Sequence, residues 1–434
     1  MFPFLDQQFH LNEQQLSLLT GLNVITLGLT TILILPSSNI FGRRPISILF
    51  GLLVVLTNIW QALATSHHSL LEARACNGVV ATTRETSMKQ VIADIFFLHE
   101  RGFWVGIYST FYFSGAFLGL IMSGNIAPKH GWHSFLWLKV TIAAFVTLLL
   151  VVAFLETLWR PKLESEAKSE VSIAGQVVGK DKPSRAKWSP IQKPESRSMT
   201  FVIRDSAMPF IAFLNPIVFW AALMLMGPAD LLLIFNLTDF GLFGSPTSDL
   251  TSGAVGHTSF ALFIGGIIGL WTAGPLSDWW ARWATLRNNG IREAEMRLPA
   301  LLPYCCIFVA SHVVGAVGCQ HLWPWQAIFI CGFGFSGLAV TAMPTIAIAY
   351  AVDCYKPISG ERVVVATVLK NVLGFCLSYW VFQVQAESDW IAVYMTQFAV
   401  DMLPVLLTIP LYFLGKNLRT WRGTPLHRME ALIC

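Results

Sequence analysis

The sequence predicts an all-α integral membrane protein with about eleven transmembrane helices. Of its 434 residues, 54% are hydrophobic and only 12% are charged, whereas about 25% of the residues in a soluble domain carry charge. The mean hydropathy of the chain is +0.59. Apolar windows of about 20 residues, the length that crosses a hydrocarbon core of roughly 30 Å, recur along most of the sequence. The basic residues lie almost entirely on alternate connections between these windows.

Each predicted span is bounded by Gly, Pro or charged residues. The first has a polar outer half, because it begins within the run NEQQ. The spans are approximately 12–35, 46–64, 69–95, 104–126, 134–154, 211–236, 257–277, 299–317, 326–350, 363–385 and 391–414.

The orientation follows from the basic residues, since short cytoplasmic loops carry an excess of Lys and Arg. One set of alternate connections holds 23 of the 29 Lys and Arg residues, and the opposite set holds only Lys129. This places the C-terminus in the cytoplasm and the N-terminus outside, with the plasma membrane as the expected location. Basic loops of this kind face anionic lipid, so we expect a lipid bilayer and no nucleic acid as the macromolecular surroundings.

The segment 155–210 divides the chain. It is rich in Lys, Glu, Ser and Pro, which is typical of a flexible linker. We therefore expect a membrane half of about five helices in 1–154, a cytoplasmic linker in 155–210, a half of about six helices in 211–414, and a cytoplasmic tail in 415–434. Many transporters are built from two related halves.

A weak internal repeat relates the two halves. The connections LPSSNIFGRRP and GPLSDWWARW each place a short polar residue four positions before an arginine, namely Asn39 before Arg43 and Asp278 before Arg282. Both connections follow a span that runs from outside to inside. The span before 257–277 would then need a counterpart before 12–35, so the repeat points to a missing first helix.

These connections resemble the loop signature Gly-x-x-x-Asp-Arg/Lys-x-Gly-Arg/Lys-Arg/Lys of the major facilitator superfamily, whose members have twelve helices in two six-helix bundles. The resemblance implies a latch in which an acid and a guanidinium bond across two helices of one half. With a neutral amide in place of the acid, the first-half latch is weaker. The matches are Gly42, Arg43 and Arg44, with Asn39 standing for the acid, and Gly274, Asp278 and Arg282 in the second half.

A second motif in the third span strengthens the resemblance. LLEARACNGVVA is similar to the family pattern Leu-x-x-x-Arg-x-x-Gln-Gly-x-Gly-Ala, with Arg74 as the motif arginine. The runs ADIFFLHERG, AYAVDCYKPISGE and GIREAEMRLP resemble the fungal branch that holds drug:proton antiporter-like and cation or polyamine carriers. For Arg74 the resemblance implies a part in proton coupling, and a hydrogen bond in helix packing is the alternative.

The third span places six charges in an apolar stretch. Arg74, Gly78, Ala81, Glu85 and Lys89 follow the spacing of one helix face. This face is expected against protein or water, since a charge facing lipid at mid-bilayer costs about 2.5–3.5 kcal/mol. Glu85 either binds a proton or cation or is neutralised by Lys89 one turn later, and the small residues admit a neighbouring helix or a substrate.

Other spans also carry polar residues at depth: Asp230, Asp401, and Lys370 with its neighbour Asn371. Lys370 is too deep to reach the interface, so it needs a partner or a cavity, and Asp230 is the expected partner. Trp271, Tyr350 and Tyr379 are aromatic candidates for an organic-cation site. Gly115, Gly119 and Gly124 have the spacing of tight helix packing.

Transport by a secondary carrier is the function that these features favour. No P-loop is present, which argues against ATP-driven pumping. We expect proton-coupled efflux of a drug, toxin or secondary metabolite by a monomer, along a path containing Arg74, Glu85, Asp230, Lys370 and Asn371. Uptake of an organic cation or polyamine is one alternative, and a non-transporting sensor or truncated remnant is another. No cofactor, metal site or enzymatic activity is expected.

Overall fold

A computed structural model describes residues 9, 13–95, 98–154, 215–243, 252–290, 293–321, 323–354, 359–387 and 390–431. No strand occurs in these ranges, and each predicted span overlaps a long helix, so the all-α prediction is confirmed. The linker expected at 155–210 lies outside the described residues. The helices are α1 (Glu13–Phe41), α2 (Arg43–Leu63), α3 (His67–Ile95), α4 (Leu98–His130), α5 (Trp132–Ala153), α6 (Pro216–Phe243), α7 (Ser252–Arg287), α8 (Leu302–Gln320), α9 (Phe335–Cys354), α10 (Ser359–Glu387) and α11 (Trp390–Ala431).

Shorter helical segments precede two of these helices. A 3-10 segment, Ala294–Leu301, leads into α8, and a π-helical segment, Ile328–Gly334, leads into α9. The last helix, α11, continues to Ala431 rather than ending near residue 414 as expected. A single glycine joins α1 to α2: Gly42 has φ 98°, a backbone conformation that other residues rarely adopt.

In the described part of the chain, seven helices are long and apolar enough to cross a membrane. They are α1, α2, α5, α7, α8, α9 and α11, several with short extensions. The charged helix α3 falls outside this criterion because Glu, Asp, Lys and Arg interrupt its apolar residues. The charges that exclude it include the functional candidates Arg74 and Glu85.

The two halves meet along two helix pairs. Helix α1 packs on α10, and α4 packs on α7. In the repeat, α1 corresponds to α7 and α4 to α10, so each pair is the counterpart of the other. This arrangement gives the molecule its two pseudo-symmetric halves.

The halves differ in how their helices are covered. In the second half, α6 packs on α9, α10 and α11. No described helix occupies the matching position against α3, α4 and α5. The predicted tight packing is therefore not seen at Gly115 and Gly119 on α4 in this part of the chain, since a Cβ at either position would meet no described atom within 4 Å.

Candidate transport site

An ion pair between the halves marks the candidate site. Lys370 Nζ on α10 donates to Glu85 Oε1 on α3 at 2.6 Å, and the two side chains are 16% and 5% exposed. The sequence prediction had Asp230 as the partner of Lys370. The structure places Lys370 on Glu85 instead, because α10 contacts α3 at this depth.

Two tyrosines on α4 surround Glu85. The Tyr112 hydroxyl hydrogen-bonds to the Glu85 carboxylate. The Tyr108 hydroxyl donates to the Arg84 carbonyl oxygen at 3.0 Å and lies 3.4 Å from that of Glu85. Sequence reasoning missed both tyrosines, since nothing in the order of residues shows that α4 passes beside Glu85.

Asp230 and Asn371 lie beside the ion pair, where α6 and α1 meet α10. Asp230 on α6 abuts Gly374, whose added Cβ would lie 3.2 Å from Asp230 Oδ1. Asn371 packs on Gly28 of α1. The two residues are 2% and 5% exposed. Among the described residues, nothing hydrogen-bonds to Asp230 Oδ2 or Asn371 Nδ2, so the site has polar atoms available for a substrate or a proton.

Arg74 forms a separate site about 16 Å along α3 from Glu85, given 1.5 Å per residue. Its Nη1 donates to the Leu19 carbonyl oxygen on α1 at 3.4 Å. Lys139 on α5 interacts electrostatically with Arg74 and donates to Gln61 Oε1 at 3.3 Å. Arg74 therefore belongs to a partly buried basic cluster in the first half, and Lys139 is a member that the sequence prediction omitted.

Between Arg74 and Glu85, the small residue on the predicted stripe receives a neighbouring helix. A Cβ at Gly78 would collide with Thr26 Oγ1 and the Asn23 carbonyl oxygen, both on α1. Of the two possibilities left open by the sequence, helix packing is the one seen at Gly78. The side chain of Lys89 lies outside the described residues.

The predicted latch differs between the halves. Asp278 pairs with Arg297 at 2.8 Å, and Arg297 also contacts Asp353 at 2.7 Å. Arg297 thus joins α7, the 3-10 segment and the end of α9. Arg282 is exposed and makes no ion pair with another described residue. The cation that pairs with Asp278 is therefore Arg297, which the sequence presented only within the run GIREAEMRLP.

In the first half, the latch candidates lie at the α1–α2 turn. Asn39 is half-buried near the end of α1, and Arg43 is buried at the start of α2. The adjacent Arg44 donates to the Val151 carbonyl oxygen on α5 at 3.1 Å. This arginine therefore ties the turn to a third helix of the half.

The three predicted aromatic candidates do not lie together at one site. Trp271 is 74% exposed on α7, and Tyr379 is 43% exposed on α10. Tyr350 is fully buried, with its ring edge-to-face on Trp220 at 5.6 Å. The three rings therefore form no common cage, and the aromatic groups at the site are Tyr108 and Tyr112.

Comparison with known proteins agrees with this architecture. A family model described as Major Facilitator Superfamily matches residues 1–355. Protein HOL1 of Saccharomyces cerevisiae is 25% identical over an alignment of 477 residues, covering 93% of this chain and 80% of that protein. The S. cerevisiae protein named "Probable drug/proton antiporter YHK8" is 24% identical over 429 residues, covering 95% of this chain and 79% of its own.

A solved structure shows the same fold. The human organic anion transporter MFSD10 (TETRAN) superposes with a TM-score of 0.55 at 14% sequence identity, over 90% of this chain and 83% of its own. The family match and this structure confirm the predicted fold class, and the two yeast relatives confirm the resemblance to fungal transporters. The protein is a multi-pass membrane transporter of small molecules and not an enzyme. It belongs to the major facilitator superfamily.

Proposed function

We propose that this protein is a proton-coupled secondary transporter that exports small organic molecules across the plasma membrane. It works as a monomer with its C-terminus in the cytoplasm. The observation that carries the proposal is the Glu85–Lys370 ion pair, because it joins the two halves and one of its members can bind a proton. The resemblance to a named drug/proton antiporter supports the same direction.

Protonation of Glu85 provides the coupling. A proton on the carboxylate removes its charge, so Lys370 loses the partner that offsets its burial. The second half can then move relative to the first, and Lys370 becomes available to water or substrate. Return of the carboxylate to its charged form restores the pair. Each cycle therefore links one proton to one change in the contact between α3 and α10.

The energy available from protons is sufficient for export. A membrane potential supplies about 2.3 kcal/mol per charge per 100 mV. Each unit of pH difference adds about 1.4 kcal/mol. Substrate contacts come from Asp230, Asn371 and Tyr112, which leave polar atoms and an aromatic ring beside the pair.

Transport by yeast cells that express this chain tests the proposal. Efflux and uptake of organic cations and hydrophobic toxins are measured with and without a protonophore, beside Glu85→Gln and Lys370→Gln. Glu293→Gln is the matched control, because its pair with Lys416 is exposed. We expect protonophore-sensitive efflux that both site variants lose and the control retains.

Other outcomes separate the alternative functions. Net uptake of an organic cation or polyamine, lost in the same variants, would assign the opposite direction of transport. If no compound moves although the chain reaches the plasma membrane, the non-transporting sensor replaces the transporter. Efflux that persists in Glu85→Gln would remove the ion pair from the coupling mechanism.

A further inference from the structure

A buried acid and a buried histidine lie together in the second half. Asp401 on α11 and His312 on α8 are 1% and 0% exposed, and their side chains contact at 3.1 Å between Oδ2 and Nε2. Gln397 Nε2 donates to Asp401 Oδ1 at 2.8 Å. The rings of Phe308 and Phe398 lie 4.5 and 5.5 Å from the imidazole. The cluster is therefore polar inside an apolar enclosure.

The hydrogen-bond geometry determines how many protons the His312–Asp401 pair holds. His312 Nδ1 lies 3.0 Å from the Phe308 carbonyl oxygen, which can only accept. Nδ1 must then carry a hydrogen. Nε2 faces a carboxylate oxygen, so either Nε2 also carries a hydrogen or Asp401 does. In both cases the pair holds one proton more than a neutral imidazole beside an ionised carboxylate.

Loss of that proton would disturb the packing. With the extra proton bound, the His312–Asp401 pair is neutral overall. Without it, the pair carries one negative charge with no access to water. A buried charge without a partner costs several kcal/mol. After loss of the proton, one imidazole nitrogen has a lone pair, and this lone pair faces another acceptor, either the Phe308 carbonyl oxygen or Asp401. Release of the proton therefore requires a change in how α8 and α11 pack.

A line of close helix approaches and electrostatic interactions connects the pair to the candidate transport site. A Cβ added to Gly227 of α6 would lie 2.9 Å from Asp401 Oδ1, and Asp230 is one turn farther along that helix. Asp230 abuts Gly374 of α10, and Lys370 is one turn away on α10. Lys370 holds Glu85. The line crosses α8, α11, α6, α10 and α3.

The other ionisable groups near the pair are few in the ranges that the structure describes. Asp230 on α6 interacts electrostatically with Asp401 and Lys370. Tyr394 and Cys319 pair with each other two turns away on α11 and α8, and Cys331 lies on the π-helical segment that packs on α8. Asp230 is the only acid among these neighbours, and it opposes a second negative charge at Asp401.

We propose that His312 and Asp401 form a second proton-binding site, whose occupancy controls the packing of α11 against α6 and α8 during transport. The site takes a proton and no other ligand. This inference rests on the proposed function for its role in transport. The binding of the proton itself can be measured without any substrate.

Infrared difference spectroscopy of the purified full-length chain tests the binding. Spectra at about pH 5 and about pH 8 are compared for wild type, Asp401→Asn, His312→Gln and the control Glu293→Gln. We expect a protonated-carboxyl or imidazolium signal that both site variants lose together and the control retains. The same spectral change in all four proteins, or its absence from wild type, would overturn the proposal.

Transport separates this inference from the proposed function. Transport of the probe cation tetraphenylphosphonium is measured as a function of pH. We expect the ratio of transport rates at low and high pH to be at least about fivefold smaller in the site variants than in wild type, which is the lower end of ordinary coupling between sites. If wild-type transport is protonophore-sensitive and the variants keep its pH profile, this inference alone fails. If wild type shows no protonophore-sensitive transport, the proposed function fails while the infrared result stands.

A second variant protects the test against loss of folding. His312→Phe combined with Asp401→Leu replaces both members of the pair with apolar groups of similar volume, a change that buried pairs often tolerate. If the single variants do not reach the membrane, this double variant takes their place. It is expected to fold and to lose both the spectral signal and the pH dependence, and retention of either would contradict the proposal.

Discussion

The residues at the contact between the halves combine a high desolvation cost with a short ion pair. Glu85 is almost completely buried and Lys370 is mostly buried, so neither is well solvated. Their attraction offsets this cost only while both are charged and in contact. A proton or a substrate that removes one charge therefore changes the free energy of the whole contact. This sensitivity is what a coupling site requires.

The first prediction measures that dependence. Glu85→Gln and Lys370→Gln are each expected to lower the free energy of unfolding by about 3–5 kcal/mol, because each leaves an uncompensated buried charge. The double variant is expected to be more stable than either single variant. Thermal unfolding of the purified proteins gives the coupling. The exposed pair Glu293–Lys416 is the control and should couple by roughly 0–1 kcal/mol.

The individual site residues could be found from the sequence, but their partners could not. Depth within an apolar span identified Glu85 and Lys370, since such charges are rare in membrane helices. Their contact joins positions 285 residues apart. It depends on how α3 and α10 are rotated, which the sequence alone does not give. For the same reason Asp230, chosen by depth, was not the residue found on Lys370.

At the scale of helices, one arginine bridges two carboxylates where the second-half latch was predicted. Arg297 contacts Asp278 and Asp353 and donates to Ser277 Oγ at 3.3 Å. A guanidinium can reach two carboxylates at once because its donors form a planar fork, whereas an ammonium is a point charge. The family resemblance pointed instead to Arg282, which is exposed.

The second prediction compares these two arginines. Arg297→Lys is expected to reduce transport more than Arg282→Ala, since lysine cannot bridge Asp278 and Asp353 in the same geometry. Initial transport rates in cells with equal surface expression provide the measurement. An equal loss of transport in both variants would return the latch role to Arg282. Lys416→Ala is the control for removal of a basic residue from this region.

The third prediction concerns helix packing. Gly78→Ala should destabilise the protein, because the added Cβ collides with α1. Gly115→Ala should leave stability unchanged or raise it by up to about 1 kcal/mol, since alanine favours the helix and no described atom lies near the new Cβ. Thermal unfolding of both variants measures the difference. A stable Gly78→Ala protein would contradict the close approach of α3 to α1.

Packing of this kind is only partly visible in a sequence. Small residues permit a close approach, and at Gly78 a helix makes that approach. At Gly115 and Gly119 none does within the described chain, although their spacing is equally favourable. The difference comes from the arrangement of the helices, because no described helix lies beside α4 in the position that α6 holds in the second half.

For the whole molecule, the environment determines more of the fold than any single motif does. A membrane admits helices because they satisfy their own backbone hydrogen bonds, so apolar length and the distribution of basic residues predicted the helices well. In the described ranges, the two halves meet mainly through α1–α10 and α4–α7, with smaller contacts between neighbouring helices. Movement of one half over the other therefore has to change these interfaces.

The last prediction tests that movement directly. A Cβ at Gly21 on α1 would lie 3.4 Å from Ser378 Cβ on α10, close to the roughly 3.5–4.5 Å of disulfides. Gly21→Cys with Ser378→Cys, in a background with Cys376→Ala, is expected to form a disulfide between the halves. Because the cross-link holds them together at this end, transport should fall at least about tenfold and recover on reduction.

Two further measurements make the cross-linking result decisive. Each single cysteine variant controls for the substitution itself and should transport under oxidising conditions. The oxidised double variant should also unfold at a higher temperature than the reduced form, since a disulfide typically adds about 2–4 kcal/mol. A protein that is fully cross-linked, more stable and still transports would show that α1 and α10 stay in contact at this end throughout the cycle. The motion would then have to occur at the α4–α7 interface and the opposite ends of α1 and α10.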